Sequence, residues 1–174
     1  MAAKIIVHSC ILGILTNRLS SLTKPINIDL DLLRYKDRLV SKMEDNVAYL
    51  KDPIRKKWIQ LTPEEFVRQL TLEYLMDLPA LSKRLLSVEK QIKVNGIIKR
   101  FDILLYDDQA EPLLLVECKA PQVKLTDETF KQISFYNLKL KVPFLLITNG
   151  KDAYFCRIDL ETKSYHFMPE VVLE

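Results

Sequence analysis

The sequence predicts an α/β domain with an αβββαβ core, in which a mixed sheet is flanked by helices and widened by extra edge strands. Three observations carry this. A capped helical pattern spans residues 62–76, strand-like runs joined by turn signals fill residues 88–119, and a second helical pattern leads into Val142–Thr148, a run apolar on both faces.

The chain has 174 residues, one domain by size and long enough to bury most of its apolar surface without disulfides or structural metal. Its 26 basic and 23 acidic residues leave a net charge of +3, too mild to identify a nucleic-acid binder. The basic residues nevertheless cluster, at Lys51, Arg55, Lys56 and Lys57, at Lys99 and Arg100, and from Lys119 to Lys141. Such clusters can track a phosphate backbone or simply solvate a face. The three cysteines, Cys10, Cys118 and Cys156, are odd in number and widely spaced, which argues against zinc and for a reducing, cytoplasmic compartment.

Residues 1–45 read as an irregular N-terminal extension, and 46–170 as the folded domain. The apolar run Ile5–Leu15 is too short for a membrane span, and no small-residue cleavage site follows it. Val47–Leu50 and Lys56–Leu61, separated by a turn at Lys51-Asp-Pro-Ile, read as a hairpin containing Trp58. Thr62, Pro63 and Glu65 then open a helix as N-cap, first residue and third residue, and Phe66, Val67, Leu70, Tyr74 and Leu75 supply its buried stripe. Leu78-Pro79 ends it.

Val88–Val94 and Ile97 onward, joined by Asn95-Gly96, read as a second hairpin. With Pro112–Lys119 they give a three-stranded meander. Ala120-Pro121 breaks the third strand, and Thr126-Asp127-Glu128 starts a helix running to about Lys139. That helix makes Val142–Thr148 a parallel neighbour of Pro112–Cys118. Ala153–Ile158 and Tyr165–Met168 complete the sheet.

The chemistry concentrates in the meander. If the turn between Tyr106 and Pro112 is centred between Gln109 and Ala110, Asp102 lies opposite Glu117. Directly opposed side chains have Cβ atoms about 4.5–5.5 Å apart, where like charges repel. Glu117 closes the apolar run Leu113–Val116, so the pair sits at the edge of a core, and burying two carboxylates costs several kcal/mol each unless a cation or proton compensates. Lys119 falls on the same face as Glu117, and Cys118 points into the core. Two ligands for Mg²⁺ or Mn²⁺ beside an ammonium group form a layout suited to phosphodiester hydrolysis.

Asp102 followed by Glu117-Cys118-Lys119 resembles the signature of the PD-(D/E)xK nuclease superfamily. With Thr62-Pro-Glu-Glu-Phe-Val-Arg-Gln upstream, Glu117-Cys-Lys-Ala-Pro, and Gln132 and Tyr136 downstream, the chain resembles the N-terminal nuclease domain of type I restriction enzyme R subunits over Val47–Met168. The resemblance implies a restriction-endonuclease-like fold and a metal-dependent DNA endonuclease. Asp102, Glu117, Lys119 and Gln132 would be catalytic, with the metal held by Asp102, Glu117, the Cys118 carbonyl and Glu65, or Glu64 in its place. Arg68 and Gln69 would meet phosphate or hold a carboxylate, and Arg100 would join the substrate contacts. Gln132 and Tyr136, spaced as Q-x-x-x-Y, would support the site or touch DNA.

Plainer readings stand beside these. A glutamate three residues after a threonine cap is explained by capping alone, a polar i,i+4 pair is commonly surface, and E-x-K is a frequent pattern on a solvated strand. The three glycines, Gly13, Gly96 and Gly150, cannot form a P-loop, so an ATPase motor is absent from this sequence and would come from other restriction-modification or motor subunits. The alternative is a non-catalytic nucleic-acid- or protein-binding module of the same fold.

Overall fold

The apolar run that ends in Glu117 becomes an interior strand of the main sheet. The computed structural model describes residues 20–21 and 24–173, apart from 80, 95–96, 127–128, 131–132, 134–136, 138–139 and 163. In chain order these form β1 (Ser20–Ser21), a 3-10 helix (Leu32–Arg38), β2 (Ser41–Glu44), β3 (Val47–Lys51), β4 (Trp58–Gln60) and helix α1 (Pro63–Asp77). After a 3-10 turn (Lys83–Leu85) come β5 (Leu86–Val88), β6 (Gln91–Val94), β7 (Ile97–Arg100), β8 (Ile103–Tyr106) and β9 (Pro112–Cys118). A crossover whose described residues 129, 130, 133, 137 and 140 are helical leads to β10 (Phe144–Thr148), β11 (Ala153–Asp159) and β12 (Ser164–Met168).

Seven strands form one mixed sheet in the order β1-β12-β11-β10-β9-β8-β5; β2-β3-β4 and β6-β7 form two smaller antiparallel sheets. The α/β class and the mixed sheet are those the sequence predicts. β9 and β10 run parallel, with Phe144 beside Leu114 and Thr148 beside Cys118. β8 and β9 pair antiparallel with Ile103 opposite Val116, Leu104 opposite Leu115 and Leu105 opposite Leu114. Continued by one residue, that register sets Asp102 opposite Glu117, as the turn position implies.

Alternation along the two central strands divides the core in two. Leu114, Val116, Cys118, Phe144 and Leu146 pack with Val67, Leu70 and Leu75 of α1, whereas Leu115, Leu145 and Ile147 pack with Phe130 and Ile133 of the crossover. A strand covered on both faces must be apolar throughout, and this is why its single acid stands out.

α1 starts as its sequence dictates: Thr62 Oγ1 accepts from the Glu65 N–H at 3.1 Å, Pro63 occupies the first turn, and Leu78 ends the helix before Pro79. The second hairpin departs from expectation. Glu89 adopts φ 50° and Phe101 is fully buried, so the two long strands break there. Their inner halves, β5 and β8, join the main sheet, and their outer halves form the β6-β7 ribbon. The backbone bridges the break, with the Glu89 N–H donating to the Asp102 carbonyl at 2.9 Å. The Asn95-Gly96 turn lies outside the described residues.

Residues 24–45 contribute to the fold. Ile28, Leu30, Leu32 and Tyr35 are buried in the α1-side core, and the Tyr35 hydroxyl donates to Asp77 at 3.0 Å. β2 and β3 meet at Asp45 and Asn46, both at positive φ, the backbone that a tight two-residue hairpin turn requires. Residues 1–19 lie outside the described part. Among the described residues no helix is long and apolar enough to cross a membrane.

The turn between β10 and β11 touches α1 closely. Gly150 sits at φ +86°, and a Cβ there would lie 3.1 Å from Val67 Cγ2. Gly150→Ala combines a backbone penalty with a collision against the helix, and should lower stability by about 1–2 kcal/mol in urea unfolding. An unchanged midpoint would show that turn and helix yield.

Candidate functional site

Three segments converge at the carboxyl end of β9. They are the start of α1, the β7–β8 junction, and the turn between β3 and β4. Each brings acidic and basic side chains to a place where water is scarce, so pairing is obligatory.

Asp102, 13% exposed, sits just before β8. Its Oδ2 accepts from the Cys118 N–H at 2.6 Å, and its Oδ1 from Arg68 Nη2 at 2.8 Å. The first contact ties it to the end of β9 and the second to α1. Glu117 is buried, and its Oε1 accepts from Lys119 Nζ at 2.6 Å. Lys119 is held in turn by its backbone N–H, which donates to the Thr148 carbonyl of β10 at 2.8 Å. The Cys118 thiol points away into the α1-side core, near Thr71 Oγ1. Burial above all, then the Asp102 charge, pushes it well up, so it is inert.

Burial also dominates at Glu117, and with the neighbouring Asp102 charge it pushes this carboxyl up from 4.5 to about 7 against the opposing pull of Lys119. Burial works against the Lys119 ammonium as well. There the hydrogen bond and charge of Glu117, with Asp102 behind them, prevail and raise it above its ordinary value.

Arg68, 4% exposed, bridges acids from two elements, with Nη1 on Glu65 and Nη2 on both Asp102 and, at 3.3 Å, Glu64. Burial opposes its charge, but Asp102 and Glu65 outweigh that and keep it protonated. Glu65 is fully occupied: Oε1 accepts from Arg55 Nη2 at 2.7 Å and Gln69 Nε2 at 2.8 Å, and Oε2 from Arg68. The contacts seen for Arg68 and Gln69 are therefore with carboxylates. Arg100 is exposed and lies 3.4 Å from Glu89.

Asp52, Arg55 and Glu89 also belong to this cluster, unforeseen from the sequence. Arg55 turns inward, contacting Asp52 at 2.6 Å, Glu65 and Glu89. Asp52 is completely buried; desolvation is outweighed by hydrogen bonds from the Arg55 backbone and Gln69, and its carboxyl stays below the usual range. The signal available was the Asp-Pro turn, where an aspartate commonly caps following N–H groups, as Asp52 Oδ1 does for Ile54 and Arg55. Gln132 and Tyr136 lie outside the described residues.

The groups able to hold a divalent metal are Asp102 and Glu117. Among the described residues no three His, Cys, Asp or Glu side chains form a ready cage. Two carboxylates with water and substrate oxygens making up the rest suit Mg²⁺, which seldom occupies an all-protein cage. Arg68 and Lys119 stand beside the two acids, and burial is the main cause of the raised Glu117 carboxyl.

The model of the family described as Type I restriction enzyme R protein N terminus (HSDR_N) matches residues 63–171. No curated protein matches the chain. The family match takes in α1 and the strands from β5 to β12, and leaves out β1 and the β2-β3-β4 sheet.

The Glu117 shift has a stability consequence. The folded state binds this proton more tightly than the unfolded chain, so the contribution is fully present below pH 4.5 and is lost as pH rises through about 7. Glu117→Gln removes the penalty. Its melting temperature should exceed that of the wild type by several degrees at pH 8, and the gap should close by about pH 5. A gap independent of pH, measured by calorimetry across that range, would mean that Glu117 is not the strained acid.

Proposed function

The chain belongs to the family of type I restriction enzyme R protein N termini, and from that premise we propose that it is a metal-dependent deoxyribonuclease. The observation that carries this reading is the opposed pair of half-buried Asp102 and buried Glu117 at a strand end, with Lys119 alongside. Its substrate is DNA, and motor or other restriction-modification subunits are the partners expected for a chain with no P-loop of its own.

Asp102 and Glu117 would hold Mg²⁺ or Mn²⁺, with the Cys118 carbonyl as a further oxygen donor. When bound, the ion lowers the pKa of a water and offsets charge growing on the scissile phosphate. The residues supply orientation and charge. The Cys118 N–H and Arg68 fix the Asp102 carboxylate, and Glu117 would hold the ion in its ionised form. Lys119, hydrogen-bonded to Glu117, would orient or deprotonate a water or steady the charge growing on the phosphate.

Arg68 provides a second reading with its own observation: the guanidinium already neutralises Asp102 and Glu65. A non-catalytic binding module would be content with that arrangement. The two readings separate on metal binding, which a non-catalytic module does not need.

The decisive experiment is calorimetric titration of Mn²⁺ into wild type and Asp102→Asn, followed by plasmid nicking with the same samples and with Lys119→Ala. Metal binding lost in Asp102→Asn, metal-dependent nicking by wild type, and nicking abolished in Lys119→Ala are the expected outcomes. No metal binding by the wild type leaves the module reading. In the same titration Arg68→Gln should bind Mn²⁺ at least about tenfold more tightly, because a full positive charge beside Asp102 has gone, although the ion-free fold is weakened. Weaker binding would make Arg68 a brace for Asp102 rather than a rival of the ion.

A further inference from the structure

The small sheet β2-β3-β4 carries a face that the nuclease reading leaves unused. Pairing of Lys42 with Tyr49, Tyr49 with Gln60, and Lys51 with Trp58 sets these five side chains on one side of the sheet. The opposite side carries buried Leu50. On the open side the Lys42 and Lys51 ammonium groups lie 5.1 and 5.4 Å from the Trp58 ring, and Lys42 also lies 5.5 Å from the Tyr49 ring. Trp58 is 37% exposed, and Lys51, Lys56, Lys57 and Gln60 are exposed.

The turn between β3 and β4 links this face to the site. The Asp52 N–H donates to the Lys57 carbonyl, the Lys56 N–H to the Asp52 carbonyl, and Lys56 takes φ 57°. Arg55 is thereby directed inward onto Asp52, Glu65 and Glu89, while its neighbours Lys56 and Lys57 stay outside. The basic residues of this turn thus divide between the acidic cluster and the solvent. Glu44, paired with Lys42, is the acid set among the lysines of the open face.

We propose that the open face of β2-β3-β4 and its Lys56–Lys57 turn form a docking surface for the phosphate backbone of duplex DNA running out of the candidate active site. The proposal rests on DNA being the substrate, and adds where the flanking duplex lies. Charge complementarity selects the occupant. The ammonium groups present point charges to phosphates, and the Trp58 ring, already flanked by lysines, offers its edge to a sugar rather than its face to a base. The contact is therefore independent of base sequence and strongly salt-dependent.

Trp58 is the single tryptophan of the chain, so its fluorescence reports on this face alone. The experiment titrates a 20-base-pair duplex (about two helical turns) into the full chain in EDTA, at several salt concentrations, for wild type and for the double variant Lys51→Gln/Lys57→Gln. Binding by the wild type should change Trp58 emission. The double variant should bind at least tenfold more weakly at the same salt, with a logarithmic salt slope shallower by about 2, near 0.9 per lost phosphate contact. Circular dichroism of the double variant confirms its fold, because both lysines are exposed. Duplex binding with unchanged Trp58 emission and unaltered affinity in the double variant overturns the proposal, as does a wild type that fails to bind at low salt. Because EDTA prevents metal-dependent cleavage, quenching that the double variant loses supports the surface even where plasmid nicking fails, so the two readings fall separately.

Discussion

A buried guanidinium holds the site together. Arg68 rises from the second turn of α1 and meets Glu65 on its own helix and Asp102 at the start of β8. Without a cation at that point two acids would share a dry space, although the apolar stripe of α1 still packs on the sheet. Such a bridge contributes little net stability, since desolvation offsets most of its attraction, but removing one partner is costly. Its effect is on geometry: it sets the direction in which the Asp102 carboxylate points. The Nε of Arg68 has no partner among the described residues, so the guanidinium's orientation is decided by the acids it serves.

Glu117 is tolerated because the rest of its strand is so thoroughly apolar. β9 and β10 are clamped between α1 and the crossover, and five residues of each pair in register. That packing carries an acid whose proton affinity has been driven up to about 7. An acid so placed is a costly member of an apolar core. Lys119 moderates the conflict at Glu117, while Arg68 and the Cys118 N–H answer Asp102.

Much of this was legible in the sequence, and the exceptions have physical reasons. The register between Asp102 and Glu117 was readable because side chains alternate strictly and the turn fixes the offset, even though a bulge lies between Leu105 and Tyr106. The start of α1 was readable from Thr62 and Pro63. Arg55 and Asp52 were not, because a long-range ion pair leaves no period in the chain. Arg55 looked like one more exposed cation beside Lys56 and Lys57 until the turn directed it inward. The break in the second hairpin was equally hidden, since it depends on positive φ at Glu89, a residue type that gives no warning of it. The capping glutamate was foreseen, but its side chain is spent on Arg55, Arg68 and Gln69 rather than on the cap.

The hydrogen bond from the Cys118 N–H to Asp102 has one more implication. Most amides of a central strand answer to carbonyls on the next strand, and their resonances describe the sheet. This one answers to a carboxylate 2.6 Å away. Its proton is deshielded by a full negative charge and shifts whenever that charge is shared, withdrawn or turned aside. The chain thus carries, at the buried end of β9, a nuclear spin that reads the surroundings of the Asp102 carboxylate from inside, with no label attached.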